Sequence, residues 1–127
     1  MRYKFSKHYT REEAKALLPK IREWLEQISR VREQVVRLDK RLASMITAGD
    51  DLGGDSVNEM VRRWAELKVL LQNFTVRQIQ IKDVERGLID FPAIINGREV
   101  FLCWEKDEDD IEFWHDLDTG YAGRERL

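Results

Sequence analysis

The sequence predicts an α+β fold, in which a long, coiled-coil-like antiparallel helical hairpin precedes a small three-stranded antiparallel sheet. Three observations carry that expectation. Apolar residues recur in heptads through residues 10–86, and the segment AGDDLGGD (Ala48 to Asp55) interrupts them. Residues 87–127 then switch to a period of two around an Asn-Gly pair. A chain of 127 residues has room for one core, so a single domain is expected, with the β-rich tail packed at the open end of the hairpin.

The first helix should begin at Arg11, because Thr10 and Glu13 form a T-x-x-E capping box. Ala14, Ile21, Ile28, Val35 and Leu42 then fill one heptad position, and Leu17, Trp24, Val31, Leu38 and Met45 fill the other. Pro19 removes a backbone donor and crowds the preceding turn, so a kink or a short separate helix is expected there. Ala48 to Asp55 reads as a loop. The second helix is expected from Ser56 or Val57 to Glu85, closed by Gly87, with Gln78 the one polar intrusion in its seam. Folding about Gly53 would set Leu42 near Trp64 and Val35 near Leu71, leaving Leu17, Leu18 and Ile21 for the tail to cover.

In the tail, Asn96-Gly97 between IDFPAI and REVFLCW is a type I′ hairpin signal. A two-residue loop pairs Ile95 with Arg98, Ala93 with Val100, Phe91 with Leu102 and Ile89 with Trp104, giving one apolar face. Asp90 beside Cys103 and Pro92 beside Phe101 form the other, and Pro92 requires an edge. A third strand is expected over Ile111 to His115 after a four-residue turn, Lys106 to Asp109. That turn sets Trp104 opposite Ile111, placing His115 on the core side and Cys103 on the opposite side; a longer turn would reverse the two faces.

Composition narrows the function classes. Charge runs from +6 over residues 1–48 to −7 over residues 87–127, so the acidic tail is expected to dock on the basic first helix, within or between subunits, in preference to an external polyanion. No apolar run approaches the ~20 residues of a membrane span. The opening MRYKFSKHYT carries no apolar signal segment, and one cysteine excludes an internal disulfide, so a cytoplasmic location is expected. Arg22, Arg30, Arg37, Arg41 and Arg62-Arg63 alternate with acids, as on solvated helices, and a pI of about 5.8 argues against nucleic acid.

Two site readings follow. Asp90, Cys103, His115, Asp116 and Asp118 offer metal-ligand chemistry, although no C-x-x-C or H-x-x-x-H spacing is present and the strand parity separates Cys103 from His115. The same parity disfavours a Cys103–His115 nucleophilic pair. Trp114 and Tyr121 are expected to be exposed, with Trp104 and Phe113 in the core. Arg124 would either receive a carboxylate or phosphate or pair with a local acid.

GLIDFPA, G-R-x-V-x-L-C-W, the acidic Glu108, I-x-F-W-H and G-Y-A-G-R, with the entry YTREEAKALLP, resemble the uncharacterised prokaryotic family known as domain of unknown function family 2203. The likeness covers essentially the whole chain and implies no activity. The expected function is therefore a cytoplasmic interaction or scaffolding module without a cofactor. It would recognise a protein or small anionic ligand through Asp90, Trp114, His115, Asp118, Tyr121 and Arg124. Surplus apolar residues on both helices add a homodimer to that expectation. The alternative is a small metal-dependent enzyme using His115, Asp118 and Asp90.

Overall fold

In a computed structural model, residues 2–49 and 54–127 are described. The order is α1 (Arg11–Ala48), α2 (Asp55–Thr75), β1 (Gln80–Asp83), β2 (Leu88–Ile95), β3 (Arg98–Glu105), β4 (Phe113–Asp116), a 3-10 turn (Tyr121–Gly123) and β5 (Glu125–Arg126). The class is α+β, but the sheet has five antiparallel strands in sequential order, where three were expected. The fold-back at Gly53 lies outside the described residues.

α1 starts as its capping box dictates. Thr10 Oγ1 accepts from Glu13 N at 3.1 Å, and Glu13 Oε1 accepts from Thr10 N at 3.0 Å. At 38 residues the helix is about 57 Å long. Pro19 lies inside it, so no separate short helix precedes the proline. Pro19 is on the exposed side, where water can satisfy the carbonyl its missing N–H leaves free. Ala14, Ile21, Ile28 and Val35 are buried, together with Leu18, Leu25 and Val31, whereas nothing in α1 beyond Val35 is. The two helices pack on each other, with Trp24 meeting Phe74 edge-on at 5.5 Å between ring centroids.

α2 ends at Thr75, ten residues before the expected Glu85. Gln78 takes a left-handed conformation (φ 59°), which a continuing helix excludes. Ile79 N then bonds Phe74 O, and residues 80–83 become a strand through pairing with β2 rather than through their own propensity, since only Ile81 of the four favours strands. The polar residue that broke the heptad seam thus marks the end of the helix. Gly87 closes no helix; it sits in the β1–β2 turn at φ 64°, where a Cβ would lie 2.6 Å from Lys106 Cβ.

β2 and β3 pair as the Asn-Gly turn requires, from Ile95 opposite Arg98 through Ala93–Val100 and Phe91–Leu102 to Ile89–Trp104. Asn96 (φ 52°) and Gly97 (φ 76°) supply the two left-handed residues of a type I′ turn. Ile89, Phe91, Ala93, Val100, Leu102 and Trp104 join Leu18, Ile21, Leu25 and Ile28 in the core. β1 stops opposite Asp90. Beyond it, the N-terminal segment takes over the edge at Pro92, whose carbonyl accepts from Tyr9 N at 2.7 Å.

The β3–β4 connection corrects the expected register by one residue. Leu102 stands opposite Trp114, Phe101 opposite His115 and Cys103 opposite Phe113. Glu108 causes the shift. Its N–H bonds Glu105 O and its carboxylate accepts from Glu105 N, both at 2.8 Å. Ile111 then leaves the ladder for the core, its N–H capped by Asp110 Oδ1 at 2.7 Å. Pairing resumes only at Phe113, so His115 shares a face with Cys103 and Asp90.

Residues 3–9 strap this second face. Glu99 accepts from Lys4 N (2.8 Å) and Phe5 N (3.0 Å) and contacts His8 Nε2 at 2.7 Å. Gln78 Oε1 accepts from Ser6 N and Lys7 N. Burial pushes the Glu99 carboxyl up, but the His8 and backbone donors outweigh it and hold the group below its ordinary 4.5. A lowered carboxyl stabilises the fold fully above that ordinary value and loses its contribution as pH falls through the lower folded value. Acidification below about 4.5 should therefore release the strap, read as a fall in the protection of the Lys4 and Phe5 amides relative to their intrinsic exchange rate at each pH. In Glu99→Gln the protection of those amides should be the same on both sides of that pH. An acid step that persists in the variant would assign the release to another group.

Candidate functional site

Three adjacent strands bring Asp90 (β2), Cys103 (β3) and His115 (β4) together on the face of the sheet turned away from the helices. Among the described residues they form a set whose potential metal-ligating atoms all lie within 4.8 Å of one another. Each is at most 1% exposed. His115 Nδ1 lies 2.7 Å from Asp116 O, and a carbonyl only accepts, so Nδ1 carries a proton. Nε2 thereby faces Asp90 Oδ2 at 3.0 Å, and one proton is shared between the imidazole and the carboxyl. Asp90 Oδ1 is buried with no hydrogen-bond partner among the described residues.

Cys103 is pushed up to about 12, chiefly by burial and then by the Asp90 carboxylate beside it. A thiol held that high is no thiolate nucleophile at neutral pH. Over the cluster lies an aromatic cover. Phe101 packs 5.5 Å from the His115 ring and Phe5 of the strap 5.5 Å from Phe101, with Lys82 Nζ 5.3 Å from the Phe101 ring. The cluster is thus enclosed by the strap rather than open to a substrate.

The other sequence candidates lie elsewhere. Asp118 is exposed and stands apart from the cluster. Trp114 was expected to be exposed, but the register shift turns it toward the helix side, half-buried against the core, with Arg98 5.6 Å from its ring. Phe113 was expected in the core, but it lies on the outer face, under Arg124 at 4.0 Å and Arg126 at 5.1 Å. Tyr121 is exposed and flanked by Arg86 at 4.4 Å and Arg124 at 4.7 Å. Arg124 pairs with Glu108: its Nη2 donates to the two carboxylate oxygens at 2.7 and 2.9 Å and reaches Cys103 O at 3.3 Å.

The acidic tail meets the basic helix as its charge pattern predicts. Asp110 bridges Arg11 (3.5 Å) and Lys15 (3.4 Å). Arg22 donates to Glu108 O at 2.9 Å and lies over the Trp104 ring. Arg63, one of the arginines weighed for nucleic acid, is engaged by Glu59 and Glu66.

A second feature lies on the helices, where surplus apolar residues were expected. Val57, Val61 and Trp64 are exposed on α2, Trp64 by 55%, and Val36 and Ile46 are exposed on α1. Spacings of four and three put the α2 residues on one line. Trp64, expected beside Leu42, is exposed instead, and α1 buries no residue beyond Val35. No described helix is long and apolar enough to cross a membrane.

No curated protein and no solved structure is matched by the chain. The model of one family of uncharacterized conserved proteins, the domain of unknown function family 2203, does match, over residues 7–127. The capped entry to α1, the β2–β3 hairpin, the Glu108 turn and the Asp90–Cys103–His115 cluster all fall within that match, and the chain belongs to this family.

Proposed function

We propose that this chain is a single-domain, cytoplasmic interaction module whose helices form an antiparallel hairpin and associate with a second copy of themselves. One observation carries the reading: Val57, Val61 and Trp64 form an apolar line on α2 in the region where α1 buries nothing. A monomer would leave that line in water.

Charge favours a second copy as the occupant. Residues 32–41 of α1 hold four Lys/Arg and two acids, while residues 55–66 of α2 hold three acids and two Arg. A two-fold axis that lays α1 of one protomer beside α2 of the other brings these unequal charges together. The sheet surface around Trp114, Tyr121 and Arg124 is the weaker choice, since its cation is already paired and its tryptophan half-covered.

Light scattering after size exclusion, over a tenfold dilution series, tests the reading. The native chain should run as a dimer, and Trp64→Asp should raise the dissociation constant by about 100-fold, the ~2–3 kcal/mol of one large apolar side chain. Trp64 is exposed in the protomer, so its replacement should leave the fold intact. A native chain that is monomeric throughout the series sinks the proposal.

A further inference from the structure

We propose that Asp90, Cys103 and His115 form a structural site for a zinc-class divalent cation that ties together β2, β3 and β4. The donor set is the first argument. One thiolate, one imidazole and one carboxylate are ligands that zinc accepts in tetrahedral geometry. Their atoms lie within 4.8 Å of one another, and around a bound zinc such atoms stand about 3.5 Å apart. Closing that difference takes side-chain adjustment of about 1 Å, with no change of strand register.

The second argument is the orientation of His115. Nδ1 donates to Asp116 O at 2.7 Å, which is the outer-shell bond that fixes a ligating imidazole and leaves Nε2 as its donor atom. Nε2 points at Asp90 and Cys103 rather than at solvent. Third, Asp90 Oδ1 is buried without a partner. A buried carboxylate oxygen left unsatisfied is costly, and a cation held by both oxygens of Asp90 satisfies it and completes four donors with Sγ and Nε2.

The charges balance without help from outside the cluster. In the metal-free protein the thiol keeps its proton and Asp90 and His115 share one more, so the cluster is neutral. Binding M²⁺ displaces both protons to solvent and leaves a thiolate, a carboxylate and a neutral imidazole around the ion, again neutral. That equality matters in a site with Phe101 and Phe5 above it, because an uncompensated charge there would be strongly disfavoured. The ion is enclosed, so its role is cohesion of the sheet under the strap, and loading requires the strap to lift or the chain to fold around the metal.

The test uses the full chain, stripped with chelator and titrated with Zn²⁺ against a chromophoric competitor, with Co²⁺ as spectroscopic probe. One equivalent should bind and raise the thermal midpoint. Cobalt should produce a thiolate-to-metal charge-transfer band that Cys103→Ser abolishes. Cys103→Ser and His115→Gln should each weaken zinc at least about 100-fold. Cys103→Ser is nearly isosteric, and its far-UV circular dichroism and metal-free melting establish that the fold survives. Protein that takes up no zinc, or that binds zinc equally well as Cys103→Ser, overturns the proposal, the latter by assigning uptake to surface carboxylates.

Discussion

His115→Ala is expected to lower the unfolding free energy of the metal-free protein by about 3–5 kcal/mol. The loss comes less from the bond than from what its removal strands. Asp90 Oδ2 keeps its one polar contact through His115 Nε2 at 3.0 Å, and Oδ1 has none among the described residues. Without the imidazole, both oxygens are buried unpaired in a site no more than 1% exposed. Breaking a buried pair from one side is therefore far worse than deleting it. Asp90→Leu combined with His115→Leu should cost much less than the sum of the two alanine variants, since each partner's penalty exists only while the other remains. Urea denaturation with chelator present measures all three. A His115→Ala loss below about 1 kcal/mol would mean that the pair contributes little. An additive double variant would mean the two side chains do not act on each other.

Trp104→Ala should destabilise by about 3–5 kcal/mol, as large-to-small changes in a closed core do. Trp104 is 0% exposed, its Nε1 donates to Glu108 O at 2.9 Å, and Arg22 of α1 covers its ring at 5.2 Å. It joins the helix layer to the turn that sets the β4 register. Trp104→Phe retains most of the volume but loses the indole donor, so a smaller loss of about 1–2 kcal/mol is expected. Chemical denaturation gives the magnitudes, and amide exchange over residues 106–112 gives the location. If Phe and Ala cost the same, the bond to Glu108 rather than the packed volume dominates. Unchanged exchange in the turn would detach Trp104 from the register.

Where local chemistry is decisive, the chain is legible as sequence. The T-x-x-E box needs only four residues to place the start of α1. Asn96-Gly97 imposes a two-residue loop, and that loop pins every pair of the β2–β3 ladder, so the placement of Asp90 beside Cys103 follows from the residues alone. The charge asymmetry likewise foretells Asp110 on Arg11 and Lys15, because opposite net charges on two segments attract whatever the details of the contact.

Elsewhere the local signal is ambiguous or outvoted. Heptad spacing continues formally to Ile81, but Gln78 can serve either as a tolerated intrusion or as a stop. Its role as stop depends on Ser6 and Lys7, which lie 72 and 71 residues away. The expected β3–β4 turn differs from the observed one by one residue. A strand slip of one residue inverts every side chain, so that difference exchanges the faces of Phe113, Trp114 and His115 and hides the third member of the cluster. Nothing in KDEDDIE says that Glu108 will fold its carboxylate back onto Glu105 N while Ile111 departs for the core. The first choice also depends on Arg124, the second on the core shared with the helices.

By itself, then, the sequence determined the elements whose cause lies within a few residues: the helix cap, the I′ hairpin, the apolar stripes and the sign of the charge at each end. Only the tertiary structure decided where α2 stops, that β1 and β5 extend the sheet, and that His115 turns toward Cys103 and Asp90. Those outcomes rest on bonds between residues distant in the chain, which compete with local preferences of comparable size and become visible only once the partners are in place.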